Sequence, residues 1–452
     1  MKNRLFIFLL SLTCGSLYGQ KIETLKVESY QLDNGFTVFL NPDKTASRVY
    51  GAVMVNAGAK HEDPDATGMA HYLEHLLFKG TEKLGTADYA KEKPYLDSIN
   101  ILYEELAKAN TDETRKAIQQ KINQQALKAS EYGLPNEFNK LLKSIGSTGI
   151  NAFTNYEMTF YHNSFPPHEI RRWLDIYATR FTNPVFRSFQ SELEVVYEEK
   201  NRGLDNFERK IKEKLHTHLF VGQPYGEWPV LGTIEHLKNP SLIKMYEFFD
   251  KYYVSENMAL ILTGNFDPDK VKPMIAETFK DFRTGAVEQP DIPELDPFDG
   301  VKKYTGRLTP VKAGFVGYRT VPESHPDRAA VDVYEYILSN NSGTGLMDQL
   351  MKNNELVYSG KLSATYNDAG GVTLFYVPKI LVQSLRSGEK KILNILQDIN
   401  EGNIDDDLFQ IAKYELQISF EEGLANLTRR GRMIGRAFNL GKSWEEYISY
   451  PE

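Results

Sequence analysis

The pentapeptide His71-Tyr72-Leu73-Glu74-His75 constrains the fold of this chain more than any other stretch. On a helix, positions i, i+3 and i+4 share one face, so both imidazoles and the carboxylate point the same way. Histidines one turn apart can reach a single metal ion, and the glutamate between them can reach a water beside it. A catalytic zinc usually has three protein ligands and one open position. Two imidazoles are therefore one ligand short. Either a distant segment folds back onto this helix, or the three side chains are an incidental polar cluster.

The N-terminus limits what that third ligand can be. It reads MKNRLFIFLLSLTCGSLYGQ, with Lys2 and Arg4 ahead of the apolar run Leu5 to Leu12 and small residues after it. This is a signal-peptide pattern over residues 1–19, with an apolar core too short to span a bilayer. It implies export across an inner membrane into a periplasm. Cys14 lies inside it, and Ser11 stands where a lipid-attachment site usually has Leu, which argues against lipoprotein anchoring. No other cysteine exists, so the processed chain has no thiol to offer a metal. The ligands must be His, Asp or Glu. The net charge is −8 and no basic block carries interleaved aromatics, which excludes nucleic acid as a partner. No later segment is apolar and long enough for a stable membrane span.

The third ligand is sought in SELEVVYEEKNR (191–202). Glu192, Val195, Val196 and Glu199 fall at i, i+3, i+4 and i+7 of a helix, and the two valines turn that stripe inward. Two carboxylates on a buried face need a partner or a cation. Glu198 lies about 100° around the helix, off the stripe. Glu199 is therefore the favoured ligand. The plain alternative is a solvated helix whose acids pair with Lys200 or Arg202. His61, His162, His216 and His218 read as surface or core-edge residues rather than ligands.

With 452 residues the chain exceeds one core, so two lobes are expected. LDNGFTVFLNPDKTASRVYGAVMVNAG (32–58) reads as two antiparallel strands. Residues 91–143 read as two or three amphipathic helices, broken near Asn110-Thr111 and Gly133-Leu134-Pro135, in a solvated hairpin. GINAFTNYEMTFYHNSF (149–165) alternates like a strand, and NMALILTGNF (257–266) reads as a buried one. The segment 283–300, rich in Pro, Gly and acids, has a linker composition. The elements after it loosely echo those before it. The expected class is α+β, with two similar αβ lobes of antiparallel-rich sheet packed with helices. The expected division is an N-terminal lobe at 20–284 carrying the helical insertion, a linker at 285–300 and a C-terminal lobe at 301–452 that binds no metal.

Taken together these stretches resemble the pitrilysin/insulinase family of zinc metallopeptidases, with its inverted His-x-x-Glu-His motif. The subgroup that includes the mitochondrial processing peptidase is the most similar. TGMAHYLEHLLFKGT resembles the family's zinc helix, GINAFTNYEMTFYH its Asn-Ala-x-Thr strand, and SELEVVYEEKNRGLDN its third-ligand helix. The likeness runs from about residue 28 almost to the C-terminus. It implies one zinc ion held by His71, His75 and Glu199, with Glu74 as general base and Glu192 as a supporting carboxylate. It implies that Asn151 and Ala152 pair with substrate backbone. The implied activity is endopeptidase cleavage of unfolded peptides. A non-catalytic peptide-binding or complex-forming subunit of the same family is the other reading.

Two departures stand out. The stretch from His75 to Glu199 is much longer than in most relatives, with residues 91–143 as the excess. The chain also ends at SWEEYISYPE, where relatives continue, so the second lobe is expected to be incomplete. The family builds a clamshell chamber from two such two-lobed halves, and the far half supplies an Arg and a Tyr. No such pair is recognisable here, so a second two-lobed subunit, identical or different, is the expected partner.

Overall fold

The β-branched and aromatic runs become strands in the structure, a computed structural model that describes residues 25–238, 240–307 and 311–449. The signal segment at 1–19, with Cys14, lies outside those residues. The first sheet contains β1 (Glu28–Gln31), β2 (Thr37–Pro42), β3 (Val49–Val55), β4 (Thr148–Thr154), β5 (Thr159–Phe165) and β6 (Met258–Gly264), in the order β1-β2-β6-β3-β5-β4. Asp33-Asn34-Gly35 turns the β1–β2 hairpin, with Gly35 at φ +83.

The reading of 32–58 as an antiparallel strand pair needs correction. β2 and β3 run in opposite directions but do not pair. β6 lies between them, parallel to β2 and antiparallel to β3. The physical reason is burial. Every residue of MALILTG is buried, so β6 must be a central strand with both faces covered.

The longer helices of the first lobe are α1 (Met69–Leu76), α2 (Tyr89–Lys108), α3 (Asp112–Ser130), α4 (Glu137–Ser144), α5 (Ile170–Phe181), α6 (Phe189–Asp205), α7 (Phe207–Leu219), α8 (Leu242–Tyr252) and α9 (Pro268–Phe279). Most of them pack on one sheet face, over Val38, Leu40, Val53, Leu260 and Leu262. Residues 91–143, read as a helical insertion, fold as three helices, α2 to α4, with Thr111 capping α3 through the Thr114 amide at 3.2 Å. α3 is largely solvated, as expected of a surface hairpin. α2 is not, since Ile99, Tyr103 and Leu106 are buried. Glu92 of α2 takes a buried bidentate contact from Arg187, with both nitrogen–oxygen distances at 2.8 Å.

The second lobe has β7 (Gly314–Thr320), β8 (Tyr358–Thr365) and β9 (Gly370–Val377), antiparallel in the order β7-β9-β8. α10 (Arg328–Leu338), α11 (Leu346–Lys352) and α12 (Leu385–Asn400) pack on it around Leu338, Met347, Val372, Leu374 and Ile392. The tip of the β8–β9 hairpin reaches the first lobe. There Lys60 Nζ lies 2.7 Å from Glu157 and 2.8 Å from Asp368, and the Tyr366 ring stacks on Tyr225 at 4.2 Å. Mixed sheets and helices in two lobes match the expected α+β class. Among the described residues no helix is long and apolar enough to cross a membrane.

The last helices return to the first sheet. α13 (Asp406–Ala425) leads into α14 (Leu427–Asn439), which lies across β3 and β6. Ile434 packs against the face formed by Tyr50, Ala52, Met54 and Ile261. Buried Arg430 ties this helix to the β2–β3 turn, with Nη2 2.9 Å from Asp43 Oδ2. Removing one member of a buried ion pair leaves an uncompensated charge, at a cost of about 3–5 kcal/mol. Arg430→Ala is expected to lower unfolding stability by that amount, as measured by urea denaturation, whereas substitution of the exposed Arg429 leaves the midpoint nearly unchanged.

Candidate metal centre

α1 starts where the chain can turn sharply. Gly68 has φ +90, and a Cβ there would lie 2.8 Å from the Cα of Gly232, so two backbones touch at the helix start. Buried Glu62 fills the N-terminus, accepting from the Gly68 and Ala70 amides at 2.7 Å each. Burial pushes its carboxyl up to about 8, against those same amide bonds. Ala70, Leu73 and Leu76 bury one side of α1, and His71 and His75 sit together on another, their rings 4.8 Å apart.

α6 docks on α1 through its own first residue. The Tyr72 hydroxyl donates to the Phe189 carbonyl, and the two rings lie 4.9 Å apart. Leu193, Val196 and Lys200 form the buried face of α6. Val195 does not share it, being 43% exposed, which corrects the expected stripe. At 100° per residue the buried face is centred between Leu193 and Val196, and Glu192 and Glu199 fall on its rim. The two acids therefore border a cleft rather than enter a core. Glu198 is exposed on the far side, and Lys200 pairs with Glu213 at 3.4 Å instead of with either candidate acid.

His71, His75 and Glu199 converge. Each offers a ligand atom within 4.8 Å of the others. Glu199 Oε2 lies 3.6 Å from His71 Nε2 and 3.8 Å from His75 Nε2. Zinc bonds near 2.1 Å at tetrahedral angles would set donors about 3.4 Å apart, so two imidazoles and a carboxylate at this spacing suit that ion. Burial, then the neighbouring charges of His75 and Arg209, push the His71 imidazole down to about 3, so it is neutral and able to donate a lone pair.

The flanking acids have distinct settings. Glu192 Oε2 lies 3.5 Å from His75 Nδ1, and Lys79 contacts its other oxygen. Burial opposes ionisation of Glu192, but the His75 and Lys79 contacts win and hold its carboxyl low. Burial also lowers the His75 value, but Glu192, Glu199 and Glu74 outweigh it and raise it. Glu74 is buried and accepts from the Thr154 hydroxyl at 2.6 Å. Its carboxyl is raised, chiefly by burial.

Thr154 brings in the edge strand. β4 ends the sheet order and packs beside α1. A register shift lies between Thr148 and Asn151, with Gly149 at φ +62, so the strand bulges before Asn151 and Ala152. Asn151 is exposed on this edge and Ala152 is half-buried. His61, His162 and His216 lie outside the cluster, and each is buried, further inside the protein than the surface or core-edge reading placed it. Reading by residue type missed Thr154 and Lys79. Strand alternation carried a signal for Thr154, because it shares a face with Ala152. Lys79 lies beyond the last turn of α1, where helical spacing has no authority.

Fold and donor set define a class, namely a two-lobed α+β protein with a His-x-x-Glu-His helix and a third donor from a distant helix. The chain belongs to peptidase family M16. The family model described as Insulinase (Peptidase family M16) matches residues 37–96 and 122–232, and the one described as Peptidase M16 inactive domain matches 241–416. An uncharacterized zinc protease of Rickettsia felis is 22% identical over 349 residues, covering 76% of this chain and 72% of that one. The crystal structure of a protease from Helicobacter pylori superposes with a TM-score of 0.74 at 19% identity, over 94% of this chain and 92% of that one. The periplasmic protease PqqL from Escherichia coli superposes with a TM-score of 0.68 at 14% identity, over 94% of this chain but 44% of that one.

Two outcomes are expected of this geometry. Glu192→Gln lowers zinc affinity by roughly 10–100-fold, because the partner that orients His75 is weakened, and competition with a fluorescent chelator measures it. A carboxyl whose folded value exceeds its unfolded one makes stability fall as pH rises between the two. The contribution of Glu62 is therefore greatest below about 4, its unfolded value, and is lost by about 8. Urea midpoints measured across that range fall less steeply in Glu62→Gln than in the parent.

Proposed function

We propose that this chain is a zinc-dependent endopeptidase acting on peptide bonds of unfolded peptides or short polypeptides. The observation that carries this reading is the convergence of His71, His75 and Glu199 beside a buried Glu74 at a free strand edge. Those three residues would hold one zinc ion per chain. When bound, zinc supplies Lewis acidity that makes a water easier to deprotonate and a carbonyl easier to attack.

Glu74 is the general base in this reading. Thr154 fixes one of its oxygens, which leaves the other to take a proton from water and pass it to the departing amine. Burial raises its carboxyl toward the range where a base both accepts and releases a proton. Glu192 is a positioning residue that holds the His75 ring through Nδ1. Asn151 and Ala152 on β4 would pair with an extended substrate backbone, which favours unfolded chains over folded ones.

The lobe assignment follows the same reading. Residues 20–284 carry the metal ligands, 285–300 link the lobes, and 301–452 bind no metal. The description of the second matching family model as an inactive domain supports this. A second two-lobed half, from an identical or related subunit, would complete a chamber. Coverage of less than half of the PqqL chain supports that arrangement. Residues 1–19 would direct export, and the periplasmic location in the name of PqqL agrees with that.

The competing reading is a non-catalytic peptide-binding subunit. Glu74→Gln separates the two. Cleavage of an unstructured peptide by the zinc-loaded parent should be abolished by a chelator and restored by zinc. The variant should keep about one zinc per chain, by plasma mass spectrometry, while losing at least roughly 100-fold in rate. Full activity in Glu74→Gln sinks the assignment of the base. Absence of zinc from the purified parent returns the reading to a binding subunit.

A further inference from the structure

A cavity of about 580 Å³ opens directly beside His71 and Glu199. Its far wall is the junction of α6 and α7, and three cations line it: Arg202, Arg209 and Lys212. Two acids line it as well, Glu199 and Glu208, and Glu199 belongs to the donor set. With Glu199 engaged there, three positive charges face a single carboxylate among the described residues. None of the three cations has an ion-pair partner among the described residues. This basic wall occurs in a chain whose net charge is −8.

The backbone reinforces the sign. Asn206 caps α7 by accepting from the Arg209 amide at 3.1 Å, so the positive end of that helix borders the cavity. Arg209 folds back over α6. A Cβ on Gly203 would lie 2.4 Å from its Nη1, so the guanidinium occupies the space that a side chain at 203 would fill. Gly203 is one turn past Glu199 and on the same face. The glycine thus lets a cation lie along the metal-side face of α6.

We propose that this cavity is a subsite for a carboxylate of the substrate chain, so that cleavage is directed to peptides with Asp or Glu near the scissile bond. The inference rests on the peptidase reading above and names its substrate class. Arg209 and Lys212 are the specificity-determining pair, and Arg202 widens the positive wall. The same carboxylate chemistry is offered by an acidic side chain and by the C-terminus of a short peptide.

The test uses the zinc-loaded full chain for cleavage and its Glu74→Gln form for binding by fluorescence anisotropy. The probes are labelled peptides that differ at one scanned position, carrying Asp, Glu, Ala or Lys, each as free acid and as C-terminal amide. Asp or Glu should exceed Lys by roughly tenfold in kcat/KM and in affinity at one position relative to the cut. Because the cations are exposed, that preference should shrink as salt is raised. Arg209→Glu with Lys212→Glu should reverse it at unchanged zinc content. A preference that follows the free C-terminus instead of the scanned position supports the subsite and assigns its carboxylate to the chain end. Discrimination among the bound peptides without any cleavage supports the subsite and rejects the peptidase reading. Cleavage indifferent to charge, discrimination untouched by the double reversal, or no binding at all overturns the subsite.

Discussion

The docking of α6 onto α1 is the contact on which the candidate site depends. It is made by an aromatic side chain that belongs to the motif itself. Tyr72 stands between the two histidines in sequence, about 100° around the helix from His71, and bonds to the Phe189 carbonyl at the start of α6. The helix face that offers donors to a metal is thus flanked by a residue that recruits the helix of the third donor. Three carboxylates then crowd one cleft, and besides the two histidines only Lys79 forms an ion pair with any of them among the described residues. Like charges in a half-buried cleft repel unless a cation is shared, so the arrangement favours a divalent ion. Glu192 shows how the crowding is managed. It is held low between His75 and Lys79, whereas Glu74, deeper and bonded to Thr154, is driven up. Two acids one helix apart are thereby given opposite tendencies, one to stay charged and one to exchange a proton.

The sheet under this site is unusual in having no solvent face at its centre. β3 and β6 are buried throughout, since α1 and its neighbours cover one side and α14 covers the other. The covering helix comes from the end of the described chain. The stability of the first lobe is therefore coupled to residues that follow the second sheet. The ionic contact of Lys60 with Glu157 and Asp368 is a second tie between the same two parts. Glu157 lies in the turn between β4 and β5, the hairpin whose outer strand carries Thr154. A shift of the second lobe would pull on that hairpin before it reached Glu74, so the placement of the base is linked to lobe packing.

Much of the site was legible because its information is local. Helical spacing placed His71, Glu74 and His75 on one face, and the angular argument set Glu199 apart from Glu198, of which the structure brings Glu199 beside the two imidazoles. The valine stripe was half wrong. A 3.6-residue period assigns faces relative to one another, but only tertiary contact decides where the buried face is centred, and α6 is centred nearer Leu193 than Val195. The β2–β3 pairing failed for a related reason. Local sequence records that 37–42 and 49–55 are strands, and it holds no trace that a strand at 258–264 will come between them. A run as apolar as MALILTG was the available hint, because a central strand in a covered sheet reads as continuous rather than alternating. Residue spacing alone could have paired any distant acid with the histidines, and the quoted motifs carried the rest.

The long helical stretch between the two halves of the metal centre tests how such a site tolerates a long connection. Lengthening a connection costs little in loop-closure entropy, about 0.6 kcal/mol per doubling, provided the ends keep their positions. The stretch meets that condition by packing. α2 buries Tyr103 against Phe189, with ring centroids 4.8 Å apart, and its hydroxyl donates to Gln190 at 3.0 Å. Glu92 grips Arg187 in a dry bidentate pair two residues before α6 begins. α2 thus holds the first turn of the third-ligand helix, and its Tyr103 shares the Phe189 ring with Tyr72. The second, α3, has few buried residues and leans chiefly on α2. Change in α3 should leave the donors in place, whereas loss of the Glu92–Arg187 pair would release the segment that sets the direction of α6. The first two helices of the stretch are therefore distinct physical objects, a brace and a solvated cover, while α4 packs on β4 and so supports the edge strand.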